Sequence, residues 1–179
     1  VKLSPMIDIS AACASLATVG AAVQEVHFVG TEGECKEVLL VVSLVSAQKG
    51  EPRYVVAEEG QEIFEFTPSQ ESSAKVEFLK TTEKAKYLYL PSKTAMKSGA
   101  FKLLAEKFDL QKADVNTHIY FSSQLLDGFP GKVYKIAVAV PFNKRSIKEL
   151  TGIQAEVTTK NFHLSATELS TNIKEKSNN

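Results

Sequence analysis

The chain has 179 residues, enough for one domain or two small ones, and its 44% hydrophobic and 23% charged content is ordinary for a folded soluble protein. The longest uncharged stretch, residues 9–24, is shorter than a membrane span and rich in Ala, Ser and Thr, which excludes a transmembrane helix, and no basic-then-apolar leader opens the chain. Cys13 and Cys35 are too few for a disulfide scaffold and form no metal-ligand spacing, so the expectation is reduced thiols in a cytoplasm and no metal.

Val1-Lys-Leu is strand-like and has no initiator methionine ahead of it, which reads as a cut inside a longer protein. Ser4-Pro5-Met6 turns the chain, since proline cannot pair inside a sheet, and Asp8 is a suitable N-cap for a helix from Ile9 to about Ala17. Residues 25–29 and 36–45 are β-branched, aromatic or apolar runs around a glycine-bearing turn at 30–34, which predicts an antiparallel hairpin. The near-continuous apolar run within 38–45 predicts burial on both faces. A second hairpin is expected from residues 53–57 and 62–66 around Glu58-Glu-Gly60-Gln. Residues 67–75 are the most linker-like, although Pro68 is also a suitable start for a short helix carrying Val76, Phe78 and Leu79.

The order then becomes regular. A strand at 87–90 stops at Pro91, and Ser92 caps a helix on which Met96, Ala100, Leu103, Leu104 and Phe108 recur at helical spacing. Strands follow at 118–122 and 133–140, separated by the turn cluster Asp127–Gly131. Asn143 caps a helix with Ile147 and Leu150, closed by Gly152, and residues 154–159 form a last strand. Residues 86–159 thus spell β-α-β-β-α-β, the ferredoxin-like order. A final helix is expected from Leu164 to about Lys174, with Ser165 and Glu168 as a capping box.

The net charge is zero, but residues 1–83 carry −7 and residues 84–179 carry +7, so the second half is the candidate for an anionic partner. Lys93 and Lys97 lie four apart near a helix start, Lys144, Arg145 and Lys148 cluster on the second helix, and Lys160 follows the last strand. In a ferredoxin-like fold both helices lie on one side of the sheet, so these six residues are candidates for one RNA-binding patch; the plain alternative is a solvated lysine face. Tyr87, Tyr89, Tyr120, Phe121 and Tyr134 are strand aromatics able to stack bases or, more simply, to fill a core. Dinucleotide, phosphate-loop, zinc-helix and serine-hydrolase motifs are missing, so no catalytic residue is assigned. His27, His118 and His163 are far apart in sequence and read as structural rather than as ligands.

Several blocks carry a resemblance. Val1-Lys-Leu-Ser-Pro-Met-Ile-Asp-Ile9, Cys35-Lys-Glu-Val-Leu-Leu40, Pro91 with Lys97-Ser-Gly-Ala-Phe-Lys102, Phe129-Pro-Gly131, and Thr158-Thr-Lys-Asn-Phe-His-Leu-Ser165 with Glu168-Leu169 are similar, in order, to segments of a bacterial class I S-adenosylmethionine-dependent methyltransferase-like family. Its members carry a Rossmann domain, then a ferredoxin-like and a THUMP-like domain. The resemblance implies that residues 1–66 are the C-terminal part of a Rossmann-like methyltransferase domain with an extra hairpin, 67–84 a linker, 85–160 a ferredoxin-like domain and 161–179 the start of a THUMP-like segment. The fold class expected is therefore α/β and α+β. Val1-Lys-Leu matches the fifth strand of such a sheet, which places Ser4 and Pro5 near the cofactor and substrate crevice. S-adenosylmethionine is implied for the parent protein and not for these residues, which lack the cofactor-holding motifs. RNA, tRNA or rRNA, and the upstream methyltransferase half are the implied partners; the rival reading is a protein-interaction or structural module that binds no RNA.

Overall fold

The computed structural model describes residues 1–44, 50–59, 61–150 and 155–174. β1 (Lys2–Leu3) leads through a turn into α1 (Ile9–Thr18), whose N-cap Asp8 accepts the Ala11 N–H at 3.0 Å as expected. β2 (Ala22–Thr31) and β3 (Glu34–Ser43) form the expected antiparallel hairpin, longer than predicted. Its turn is only Glu32-Gly33, both at positive φ (54° and 75°), as a two-residue turn that follows the strand twist requires. β4 (Arg53–Glu58) lies parallel to β2 on its other side and pairs with β5 (Gln61–Phe66) in the second hairpin; Gly60 of that turn and Val45 of the first lie outside the described residues. The first sheet thus has the order β1-β3-β2-β4-β5, with β3 antiparallel to both neighbours.

Period-two alternation sends Val26, Phe28, Val38, Leu40, Val56, Phe64 and Phe66 to one face, each at most 3% exposed. Residues 38–45 were expected to be buried on both faces, but Val41 on the opposite face is 46% exposed. In the 67–84 stretch, α2 (Pro68–Ser73) starts at Pro68 with Thr67 and Gln70 forming a capping box, and β6 (Glu77–Phe78) follows it, so the helix ends before Val76.

β7 (Tyr87–Pro91) opens the second sheet. The helix expected after Ser92 is present but broken: Gly99, at φ 81°, separates α3 (Lys93–Ser98) from α4 (Phe101–Lys107). The next strand is β8 (Gln111–Asp114), which polar composition hides from sequence reading; it forms a hairpin with β9 (Thr117–Ser122). β10 (Gly131–Lys135) pairs with β7, giving the order β10-β7-β9-β8-β6.

The β-α-β-β-α-β assignment therefore needs correction in its second half. β9 and β10 flank β7 and are both antiparallel to it, so the chain must cross the sheet between them, and residues 123–130 do so as a loop, not a helix. Phe129 of that loop packs edge-on against Tyr89 and Phe108, taking the place of a second helix. The strand expected to reach residue 140 stops at Lys135 because β7 begins at Tyr87: the Ile136 N–H bonds the Lys86 carbonyl at 2.8 Å, and no partner continues. α5 (Lys144–Glu149), capped by Asn143 as expected, packs on α6 (Ala166–Lys174) instead of on the sheet. Residues 155–159 carry no strand, and Gln154 and Gly152 lie outside the described residues.

The two sheets share one core. α3 packs against β2, β3 and β4 of the first sheet and against β7 of the second. The approach is close at Gly30, where an added Cβ would fall 2.0 Å from Thr94 Oγ1. A second tie comes from Glu71 of α2, whose carboxylate accepts the Lys102 and Leu103 N–H groups at 2.9 and 2.8 Å, satisfying donors at the start of α4.

Candidate nucleic-acid interface

The six basic residues singled out in the sequence occupy three different settings. Lys93 and Lys97 share a face of α3, as their spacing requires, but that face turns toward the first sheet. Lys93 pairs with Glu34, and Lys97 Nζ donates to the Ile7 carbonyl at 2.8 Å. Both therefore serve as ties between the sheets. Lys144, Arg145 and Lys148 stand together on α5, where Arg145 Nε lies 3.5 Å from the Glu149 carboxylate one turn along. Lys160 borders a small hollow with Leu90, Met96 and His118, next to the 3.1 Å hydrogen bond from Asn161 to Thr117. Both-helices-on-one-sheet geometry is what the patch needed, and α5 is not laid on the sheet.

Ser4 and Pro5 lie at the carboxyl end of β1. The Ser4 hydroxyl accepts the Met6 N–H at 3.3 Å and its carbonyl accepts the Ile7 N–H at 3.2 Å, so the polar groups of Ser4 close the turn that leads into α1.

The strand aromatics divide by face. Tyr89 and Tyr120 are fully buried beneath α4 and the 123–130 loop. The Tyr89 hydroxyl donates to the Gln124 carbonyl at 2.8 Å and accepts the Leu126 N–H at 2.9 Å, while Tyr120 donates to the Phe101 carbonyl at 2.8 Å. Burial pushes the Tyr120 phenol well above its usual range, with Glu71 adding to the effect, so it acts as a neutral donor. Tyr87 shares the parity of Tyr89. Phe121 and Tyr134 have the opposite parity: Tyr134 faces Leu88 across β10 and β7, Leu88 faces Phe121 across β7 and β9, and Phe121 faces Gln111 across β9 and β8. This row runs across the face opposite Tyr89 and Tyr120, where Tyr134 is 47% exposed and Leu88 and Phe121 are half-buried. Beside Phe121 lies an open hollow of about 360 Å³ bordered by Lys84, Gln111, Glu77 and Asp109.

One buried group, Lys112, escaped sequence reading, and His118 holds the structural role expected of it. Lys112, on the polar strand β8, is 2% exposed and its ammonium donates to the Asp114 carbonyl and, at 2.7 Å, to the Val115 carbonyl, fastening the turn into β9. Burial lowers its pKa against the opposing pull of Asp114 and Glu71. His118 stacks on Phe101 with ring centroids 3.7 Å apart, and its Nδ1 is buried without a hydrogen-bond partner among the described residues. Burial first, and the Lys112 ammonium second, lower the pKa of this ring, which favours the neutral imidazole.

The remaining titratable groups do not converge. Among the described residues no three His, Cys, Asp or Glu side chains cluster as a metal site, and no helix is long and apolar enough to cross a membrane. His27 bonds Glu25 at 2.7 Å on the first sheet, and His163 packs against Phe142 and Phe162. Cys13 and Cys35 are free thiols whose pKa values burial raises.

Comparison with known proteins fits this architecture. A family model described as a ferredoxin-like domain matches residues 87–130, from the start of β7 to the residue before β10. The chain is thus a mixed α/β structure containing a ferredoxin-like domain. As a whole it is similar to a protein of known structure from Porphyromonas gingivalis W83 described as a candidate methyltransferase, with 33% identity and a TM-score of 0.79 over 96% of this chain and 43% of that one. The chain accordingly spans less than half the length of that relative. Comparison with curated proteins finds no match.

Proposed function

We propose that this chain is an RNA-presenting part of a methyltransferase-like protein that uses S-adenosylmethionine, and that it is not catalytic alone. The observation that carries the reading is the likeness along 96% of the chain to a candidate methyltransferase. The order β1-β3-β2 supports it, because a strand reversed between two others is how a class I methyltransferase sheet closes, and α1 links β1 to β2 as a crossover helix. On this assignment Ser4 and Pro5 stand at the rim of the crevice beyond the carboxyl ends of the strands. They do not themselves form a cofactor cradle: the Ser4 hydroxyl is taken by the turn and Asp8 by the helix cap. No step of methyl transfer is assigned to these residues. The two free thiols suit a reducing compartment, and we place the protein in the cytoplasm.

RNA is the partner favoured by the +7 charge of residues 84–179. Anisotropy titration of labelled tRNA tests this. With about three phosphates neutralised, raising salt from 50 to 200 mM weakens binding roughly 20- to 40-fold. No binding at the lower salt, or binding indifferent to salt, overturns the RNA reading.

A protein-interaction module is the second reading. It is favoured by the exposed apolar run Val138, Val140 and Phe142, which are 60%, 39% and 45% exposed, with Phe162 at 40% against Phe142. A homodimer by light scattering, together with no RNA affinity, decides for it.

A further inference from the structure

The ten lysines between positions 80 and 135 fall into two sets, and the division identifies the free surface. On the side of α3 and α4 every lysine is engaged: Lys93 by Glu34, Lys97 by the Ile7 carbonyl, Lys102 by the Ser72 carbonyl, Lys107 over the Phe64 ring at 4.5 Å, and Lys112 by the Asp114 and Val115 carbonyls. The other five, Lys80, Lys84, Lys86, Lys132 and Lys135, are exposed, and their ammonium groups have no ion pair or hydrogen bond among the described residues. Strand parity puts Lys86 on the face of Leu88, and Lys132 on that of Tyr134, while Lys84 borders the hollow beside Phe121.

Unpaired ammonium groups thus surround the row Tyr134-Leu88-Phe121, in which the two rings stand two strands, about 10 Å, apart. We infer that this face of the ferredoxin-like sheet binds single-stranded RNA, with bases stacked on exposed Tyr134 and on Phe121 at its open hollow and phosphates met by Lys84, Lys86 and Lys132. The inference rests on the RNA reading above and names its site. Single strands offer exposed base faces to aromatic side chains, whereas a duplex hides them. The acidic groups at the hollow, Glu77 and Asp109, lie toward β6 and β8, so the strand follows the β10-β7-β9 side. A protein partner suits the row poorly: three apolar side chains fall well short of the roughly 800 Å² per partner that a stable interface buries.

Anisotropy titration of the full chain with a labelled ten-nucleotide single strand, and with the same sequence as a duplex, tests the site. The single strand is expected to bind at least tenfold more tightly. Tyr134→Ala is expected to weaken it about tenfold, Tyr134→Phe to leave it within about twofold, and Lys132→Glu to weaken it and reduce its salt dependence. Tyr134 is 47% exposed on an edge strand, so these variants leave the core intact, and a circular dichroism melt verifies it. Binding that persists in Tyr134→Ala and Lys132→Glu but falls in Arg145→Ala overturns the face and leaves the RNA reading standing, with the site moved to α5. Equal affinity for the duplex also overturns it. No affinity for any RNA removes both.

Discussion

Gly30 shows how one missing side chain brings the two sheets together. A Cβ there would meet Thr94 Oγ1 at 2.0 Å and the Glu34 carbonyl oxygen at 2.9 Å, and the second of these belongs to backbone that cannot rotate away. Gly30→Ala is therefore expected to destabilise the chain by about 1–3 kcal/mol, the usual cost of overpacking a tight contact. Urea denaturation measures it, and an unchanged midpoint would show that α3 does not sit this close. Thr94→Ala in the same chain is expected to recover part of the loss. It removes the nearest atom, and the buried Thr94 hydroxyl has no hydrogen-bond partner among the described residues to lose. At this scale sequence reading identified the caps, since Asp8, Ser92, Asn143 and Ser165 all bond the first turns they precede. It missed Lys112, because nothing local distinguishes a lysine that turns beneath a sheet from one in water.

The β2–β3 turn illustrates support of one element by another. Glu59, just beyond β4, accepts the Glu32 N–H at 2.6 Å and the Thr31 hydroxyl at 3.0 Å, so its carboxylate satisfies the turn's free donors. Those bonds hold its pKa below the ordinary 4.5. A carboxyl group with a depressed folded-state pKa contributes stability above the unfolded value, and that contribution is lost as pH falls through the folded one. Glu59→Gln is expected to lower stability at neutral pH and to make the decline below about pH 4.5 shallower; parallel acid limbs for the two proteins would refute the role. The elements that sequence periodicity located well, α1, the two hairpins, β7 and β9, are those whose apolar pattern is local. The errors have a common origin: β8 is polar because it lies near the sheet's edge, and residues 136–140 have a strand's composition without a neighbour to pair with. The candidate site suffered in the same way, since Lys93 and Lys97 were placed on the right helix face while the layer that face meets is set by contacts made some sixty to ninety residues apart.

Across the whole molecule, the shared core predicts one unfolding transition. The chain has no tryptophan, so Tyr54→Trp on β4 and Tyr87→Trp on β7 provide separate fluorescent reporters for the two sheets. Coincident urea midpoints are expected, and two resolved transitions would show that α3 does not couple the sheets. The coupling has a metrological consequence. α3 is secured to Gly33, Ile7 and Glu34 on one side and leads directly out of β7 on the other, so a single helix fixes the first sheet to the ferredoxin-like sheet. The joint works as a fixed gauge block: a molecule laid on the Tyr134 face would be held at a preset reach from the end of β1, and a change in that reach requires a change in α3 itself.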